Sequence, residues 1–111
     1  MSSNESKLIH LASFYDLKVL IETGTFTGYA VVYFRDKFEQ VYSVELSIEL
    51  AEKSMKRFQS NLNVQIIHGD SGFLLKGLVE QINQPILFWL DGHNSSEFFV
   101  GEEFIRTAKG N

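Results

Sequence analysis

The chain has 111 residues, and 10 Lys and Arg against 14 Asp and Glu leave a formal net charge of −4; that length suits one domain with one core, not two. With 44% apolar and 22% charged residues the composition is that of a folded protein and argues against disorder. An acidic balance without any basic run argues against a nucleic-acid or anionic-membrane partner, and no apolar run approaches the ~20 residues that a bilayer span needs.

Residues 1–6 are polar and expected to fray. Leu8, Leu11, Ala12 and Tyr15 then recur at helical spacing, which predicts a short amphipathic helix. Val19, Leu20 and Ile21 form an apolar run that ends in Glu22-Thr23-Gly24, a strand followed by a turn. From Gly28 a second helix is expected, with Val31, Phe34 and Phe38 on one face. Residues 40–46 are rich in β-formers and read as the second strand. Ser47 suits an N-cap, and Ile48, Ala51, Met55 and Phe58 line one face of the helix that follows. Its solvated face carries the i, i+4 pairs Glu49 with Lys53 and Glu52 with Lys56.

Residues 61–63 break that helix, and residues 64–68 form a third strand closed by Gly69-Asp70-Ser71. Leu74, Leu78 and Ile82 mark the next helix, which Pro85 stops. Residues 86–90 are a fourth, uniformly apolar strand ending in Asp91-Gly92-His93, and the tail 96–108 is expected to form a last helix. Strands alternating with helices of this length indicate βαβ units, hence a doubly wound α/β parallel sheet with helices on both faces. The chain has no Cys, so it holds neither a disulfide framework nor a thiolate nucleophile or metal ligand. Together with the lack of a signal-peptide pattern in residues 1–7, this points to a cytoplasmic address.

Each strand ends in an acid: Glu22, Glu45, Asp70 and Asp91. In open parallel sheets the ligand crevice lies outside that edge, so four acids spread along the chain should converge in space. Gly24 permits the sharp turn after the first strand, and Gly28 lets the next helix start close to it, so the loop backbone can approach a ligand. The dinucleotide pattern G-x-G-x-x-G is not met, because Phe26 stands at its second glycine, which disfavours NAD or FAD. Glu45 lies 23 residues after Glu22, the slot from which an acid accepts hydrogen bonds from ribose hydroxyls. An acid so close to a helix start is also favourable by itself. Asp70 and Ser71 suit either a helix cap or a carboxylate facing an adenine amino group. Asp91 and His93 suit a general base and its orienter, or two ligands of a divalent metal. His10 and His68 read as structural.

The ordered set Ile21-Glu22-Thr23-Gly24-Thr25-Phe26-Thr27-Gly28, Val41-Tyr42-Ser43-Val44-Glu45, His68-Gly69-Asp70-Ser71 and Phe88-Trp89-Leu90-Asp91-Gly92-His93 resembles the class I S-adenosylmethionine-dependent methyltransferases, in a branch with an E-T-G-T-x-x-G loop and an L-D-G-H strand end. The resemblance spans residues 8–95. It implies a Rossmann-like sheet with the first four strands ordered 3-2-1-4 and S-adenosylmethionine as cofactor. Glu22, Gly24, Thr25 and Gly28 would surround the methionine part, Glu45 the ribose, and Asp70 with Ser71 the adenine. Asp91 with His93 would be catalytic, beside the transferred methyl; no residue is assigned to a metal. The activity implied is O-methyl transfer to a small molecule or sugar in the complete protein.

The family's sheet has seven strands and this chain stops after four, so it reads as a single truncated domain. The alternative to an enzyme is a non-catalytic, oligomeric interaction protein derived from such a half-domain. In the order 3-2-1-4, strand 86–90 would be an unprotected edge, apolar on both faces. A homodimer through that edge, or through an exchanged 96–111 tail, is the expectation.

Overall fold

The computed structural model describes residues 3–90, 96–100 and 103–106. Helix α1 (Ser3–Tyr15) precedes strand β1 (Val19–Thr23), α2 (Tyr29–Phe34), β2 (Gln40–Glu45), α3 (Ile48–Arg57), β3 (Val64–His68), α4 (Ser71–Gln81) and β4 (Ile86–Trp89). Two further strands follow, β5 (Ser96–Val100) and β6 (Glu103–Arg106). All six belong to one sheet of order β3-β2-β1-β4-β5-β6. The first four are parallel in the expected 3-2-1-4 order, and β5 and β6 add to β4 antiparallel.

Alternation along the strands sorts the core into two faces. Leu20 stands opposite Val41 on β2 and Leu87 on β4. These three pack with Leu8 and Ala12 of α1, Phe34 at the end of α2, and Phe38. Ile66 of β3 is in register with Ser43, two residues along β2 from Val41, so it shares this face; it packs with Val31, Ala51 and Phe58. Val19, Ile21, Ile86 and Phe88 point the other way, under Leu75, Leu78 and Val79 of α4 and Ile82 just beyond it. Helices α1 to α3 thus cover one face and α4 the other, the doubly wound arrangement. No helix among the described residues is long and apolar enough to cross a membrane.

Four details depart from the sequence reading. Helix α1 already starts at Ser3, inside the stretch expected to fray. Helix α2 is only six residues long; Phe38 lies beyond it yet is buried against the Phe34 ring, so the apolar spacing marked a shared core, not a continuous helix. On α4 the face toward the sheet holds Leu75 and Val79 beside Leu78, Ile82 packs there from just beyond the helix end, and Leu74 packs over Gly69.

The fourth departure is the tail. Among the described residues of 96–108 there is no helix; they form β5 and β6. With Val100 in register with Glu103, only two residues join the strands, the length of a tight hairpin. Phe98, Phe99, Val100, Phe104 and Ile105 are β-formers, and β4 offers a row of backbone groups that a helix could not satisfy. Phe99 and Phe98 lie in register with Ile86 and Leu87, so β5 takes the edge expected to be free. Pairing of two chains through strand 86–90 therefore has no open edge to use.

Candidate functional site

The carboxyl ends of β1, β2 and β3 come together as the strand order requires. The loop after β1 has three left-handed residues at alternate positions, Gly24 (φ 79°), Phe26 (φ 55°) and Gly28 (φ 86°). Two are glycines, which accept this conformation without steric cost; Phe26 does not. The loop is tied to the strands by its backbone: the Gly24 amide donates to the Val44 carbonyl and the Gly28 amide to the Thr25 carbonyl, each at 2.8 Å. The Phe26 amide donates to Glu45 Oε1 at 2.7 Å, and this bond holds the unfavourable residue in place.

Glu45 is buried at the end of β2, and its second oxygen accepts from the Ser47 amide at 2.9 Å. Ser47 caps α3 as expected, its hydroxyl accepting from the Leu50 amide at 3.3 Å. Asp70 caps α4, accepting from the Gly72 amide at 2.7 Å, so the capping interpretation of Asp70-Ser71 holds. The exposed side of that carboxylate still faces outward. His68 is structural as read: its Nε2 donates to the Leu46 carbonyl at 3.1 Å and ties the ends of β3 and β2 together.

A cleft of about 400 Å3 opens between these ends. Gly24, Glu45, Asp70 and Ser71 line it, four of the residues singled out for the cofactor. Among the described residues, Thr23, Phe26, Val44, Leu46, Leu50 and Gly69 complete the lining, which there includes two carboxylates and no Lys, Arg or His. Glu22, Thr25 and Gly28 do not line it. Glu22 is 1% exposed and in register with Ser43, whose hydroxyl donates to it. Thr25 Oγ1 lies 2.5 Å from the same hydroxyl and is the donor of that pair, since the Ser43 proton is directed at Glu22. These three buried groups form a chain beneath the loop and shape it from below. Asp91 and His93 lie outside the described residues.

Sequence reasoning missed Ser43, Leu46 and Leu50. Ser43 had a signal, a small polar residue on the inward face of β2 between Val41 and Glu45, which demands a buried partner. Leu46 and Leu50 follow the strand-end acid but look like ordinary helix-entry residues. The conformation of Phe26 was also unmarked. Its ring is 69% exposed, so little packing opposes a change there. Phe26→Gly is expected to raise stability by about 0.5–1 kcal/mol, the relief of left-handed strain less the added chain entropy. A urea midpoint lower than that of the parent chain would contradict this account of the loop.

No family model and no curated protein matches the sequence. Solved structures do match in fold. The chain is similar to the O-methyltransferase TomG of Streptomyces achromogenes, crystallised with SAM, at 22% identity and a TM-score of 0.66, over 85% of this chain and 46% of that one. It is similar to a protein-L-isoaspartate O-methyltransferase at 18% identity and a TM-score of 0.62, over 99% of this chain and 46% of that one. A third match is the 23S rRNA methyltransferase ErmE, at 14% identity and a TM-score of 0.52, over 77% and 45% of the two chains. The chain thus spans less than half the length of each. With the 3-2-1-4 parallel order, the helices on both faces and the glycine loop in place, the chain has the Rossmann-like fold of the class I S-adenosylmethionine-dependent methyltransferases.

Proposed function

We propose that the cleft binds S-adenosylmethionine and that the complete protein transfers its methyl group to a hydroxyl of a small molecule or sugar. The observation that carries this reading is the charge of the cleft: two carboxylates, apolar walls and no cationic side chain among the described lining residues. A dinucleotide or nucleoside triphosphate would bring anionic phosphates toward Glu45 and Asp70 with nothing to balance them. A nucleoside bearing a sulfonium and no phosphate fits both the charge and the apolar walls.

The donor set suits that ligand part by part. Glu45 uses one lone pair of each oxygen on a backbone amide, which leaves the others to accept from two ribose hydroxyls. Asp70 caps α4 through Oδ1 and can accept an adenine amino proton through Oδ2. Leu46 and Leu50 supply apolar surface for the purine ring, and the loop at Gly24 lets the backbone approach the methionine part. Buried Glu22 and Thr25, with Gly28, act at one remove by holding the loop. The cofactor supplies an electrophilic methyl group. Asp91, which follows β4 in the sequence, is assigned the proton of the acceptor hydroxyl, with His93 as its orienter. The similarity in fold to the O-methyltransferase TomG supports oxygen as the accepting atom.

Calorimetry with S-adenosylhomocysteine tests the reading. The parent chain should bind it, with ATP and NAD bound far more weakly. Glu45→Ala should weaken binding by about 10- to 100-fold, the equivalent of losing hydrogen bonds to a charged group. Unchanged affinity in Glu45→Ala would remove that assignment. A stable oligomer with no affinity for the ligand would favour a non-catalytic interaction protein instead.

A further inference from the structure

The loop is held from outside the cleft as well as from within it. Arg57 closes the last turn of α3 and does not line the cleft. Its Nη1 donates to the Thr27 carbonyl at 2.7 Å. The amide of the same peptide unit, on Gly28, donates to the Thr25 carbonyl. Both polar groups of one peptide are therefore satisfied, and its plane is set by an arginine 30 residues away. The guanidinium also sits over the Phe58 ring, 5.1 Å from its centroid, and that ring lies against Gly28 so closely that a Cβ there would meet it at 2.9 Å.

We propose that Arg57 is a positioning residue for the ligand loop: it locks the Thr27–Gly28 peptide so that Phe26 presents its amide to Glu45 and Gly24 faces the cleft already in shape. The inference rests on the proposed S-adenosyl site and adds a regulator of its affinity. Three left-handed residues within five positions make a loop that would otherwise sample many conformations, and a ligand would have to bear the cost of ordering it. The clamp bears that cost in advance. Its two ends also share one helix: the start of α3 donates to Glu45 through the Ser47 amide, and its end holds Thr27 through Arg57. Helix α3 therefore sets the distance between the loop and the strand-end acid.

The test compares Arg57→Met, which keeps a long apolar side chain over Phe58 but removes the donor, with Arg57→Lys, which keeps the charge and one donor. Arg57 is exposed, so neither change should move the urea midpoint. Arg57→Met should weaken S-adenosylhomocysteine binding by about tenfold and speed hydrogen exchange of the Gly28 amide by a similar factor. Arg57→Lys should recover part of both. Unchanged affinity and exchange in Arg57→Met would overturn the proposal, as would an affinity loss matched by an equal loss of global stability. If the parent chain binds no S-adenosylhomocysteine, the proposed function fails, while the Gly28 exchange rate still decides whether Arg57 orders the loop.

Discussion

Phe34→Ala is expected to destabilise the chain by about 3–5 kcal/mol, as deletion of a buried ring from a packed core does. Phe34 is fully buried, and its ring meets those of Tyr33, Phe38 and Trp89 with centroids 5.1, 5.9 and 5.7 Å away. No single neighbour can fill the space, because these rings belong to α2, the segment after it and β4, which are fixed by different contacts. A domain of this size is stable by about 5–15 kcal/mol, so the variant loses a large share of its margin. The effect should extend to the cleft. Six residues are too few for a helix to persist by hydrogen bonding alone, and α2 stays helical because Val31 and Phe34 are buried. Urea unfolding followed by circular dichroism measures the loss. A change below ~1 kcal/mol would mean that the aromatic group is not packed as described.

Gly28→Val should be comparably damaging, by about 2–5 kcal/mol, for a different reason. At φ 86° a β-branched residue carries the left-handed penalty of about 1–2 kcal/mol, and its Cβ would press on Phe58 at 2.9 Å. Phe58 is 2% exposed and belongs to the core cluster with Val31, Ala51 and Ile66, so it has nowhere to retreat; overpacking of that kind costs about 1–3 kcal/mol more. The two variants are distinguishable. Phe34→Ala leaves the loop backbone free to adopt its shape, whereas Gly28→Val forces the Thr27–Gly28 peptide to turn away from Arg57. At temperatures where both remain folded, Gly28→Val should therefore show the greater loss of ligand affinity. Equal affinities in the two variants would contradict the role given to this peptide.

The elements most legible in the sequence were those whose signals are local. The first three strands are short apolar or β-rich runs bounded by turns, and Ser47 and Asp70 are short polar side chains at helix starts, so strand identity and both caps could be read directly. The parallel arrangement followed from the alternation of strands with helices and from the handedness of crossovers, and the 3-2-1-4 order from the family resemblance. Reading the tail as a helix failed because its apolar residues fit either period. The pairing that decides between them depends on β4, a strand the tail cannot specify by itself.

The site divides along the same line. That Gly24, Glu45, Asp70 and Ser71 would meet at one edge was determined by the sequence alone, because each follows a strand and parallel strands end together. Which of the acids lines the cleft was decided only by the tertiary structure. Glu22 and Glu45 occupy equivalent slots, yet the register that sets Glu22 beside Ser43 buries it in a hydrogen-bonded chain, while Glu45 reaches the cleft wall. The loop shows the same split. Its glycines announce a turn, but the left-handed Phe26, the Glu45 carboxylate that holds it and the Arg57 clamp join residues 19 and 30 positions apart. Contacts at such separations exist only once the sheet has assembled, since nothing in a local stretch of chain selects a partner that distant.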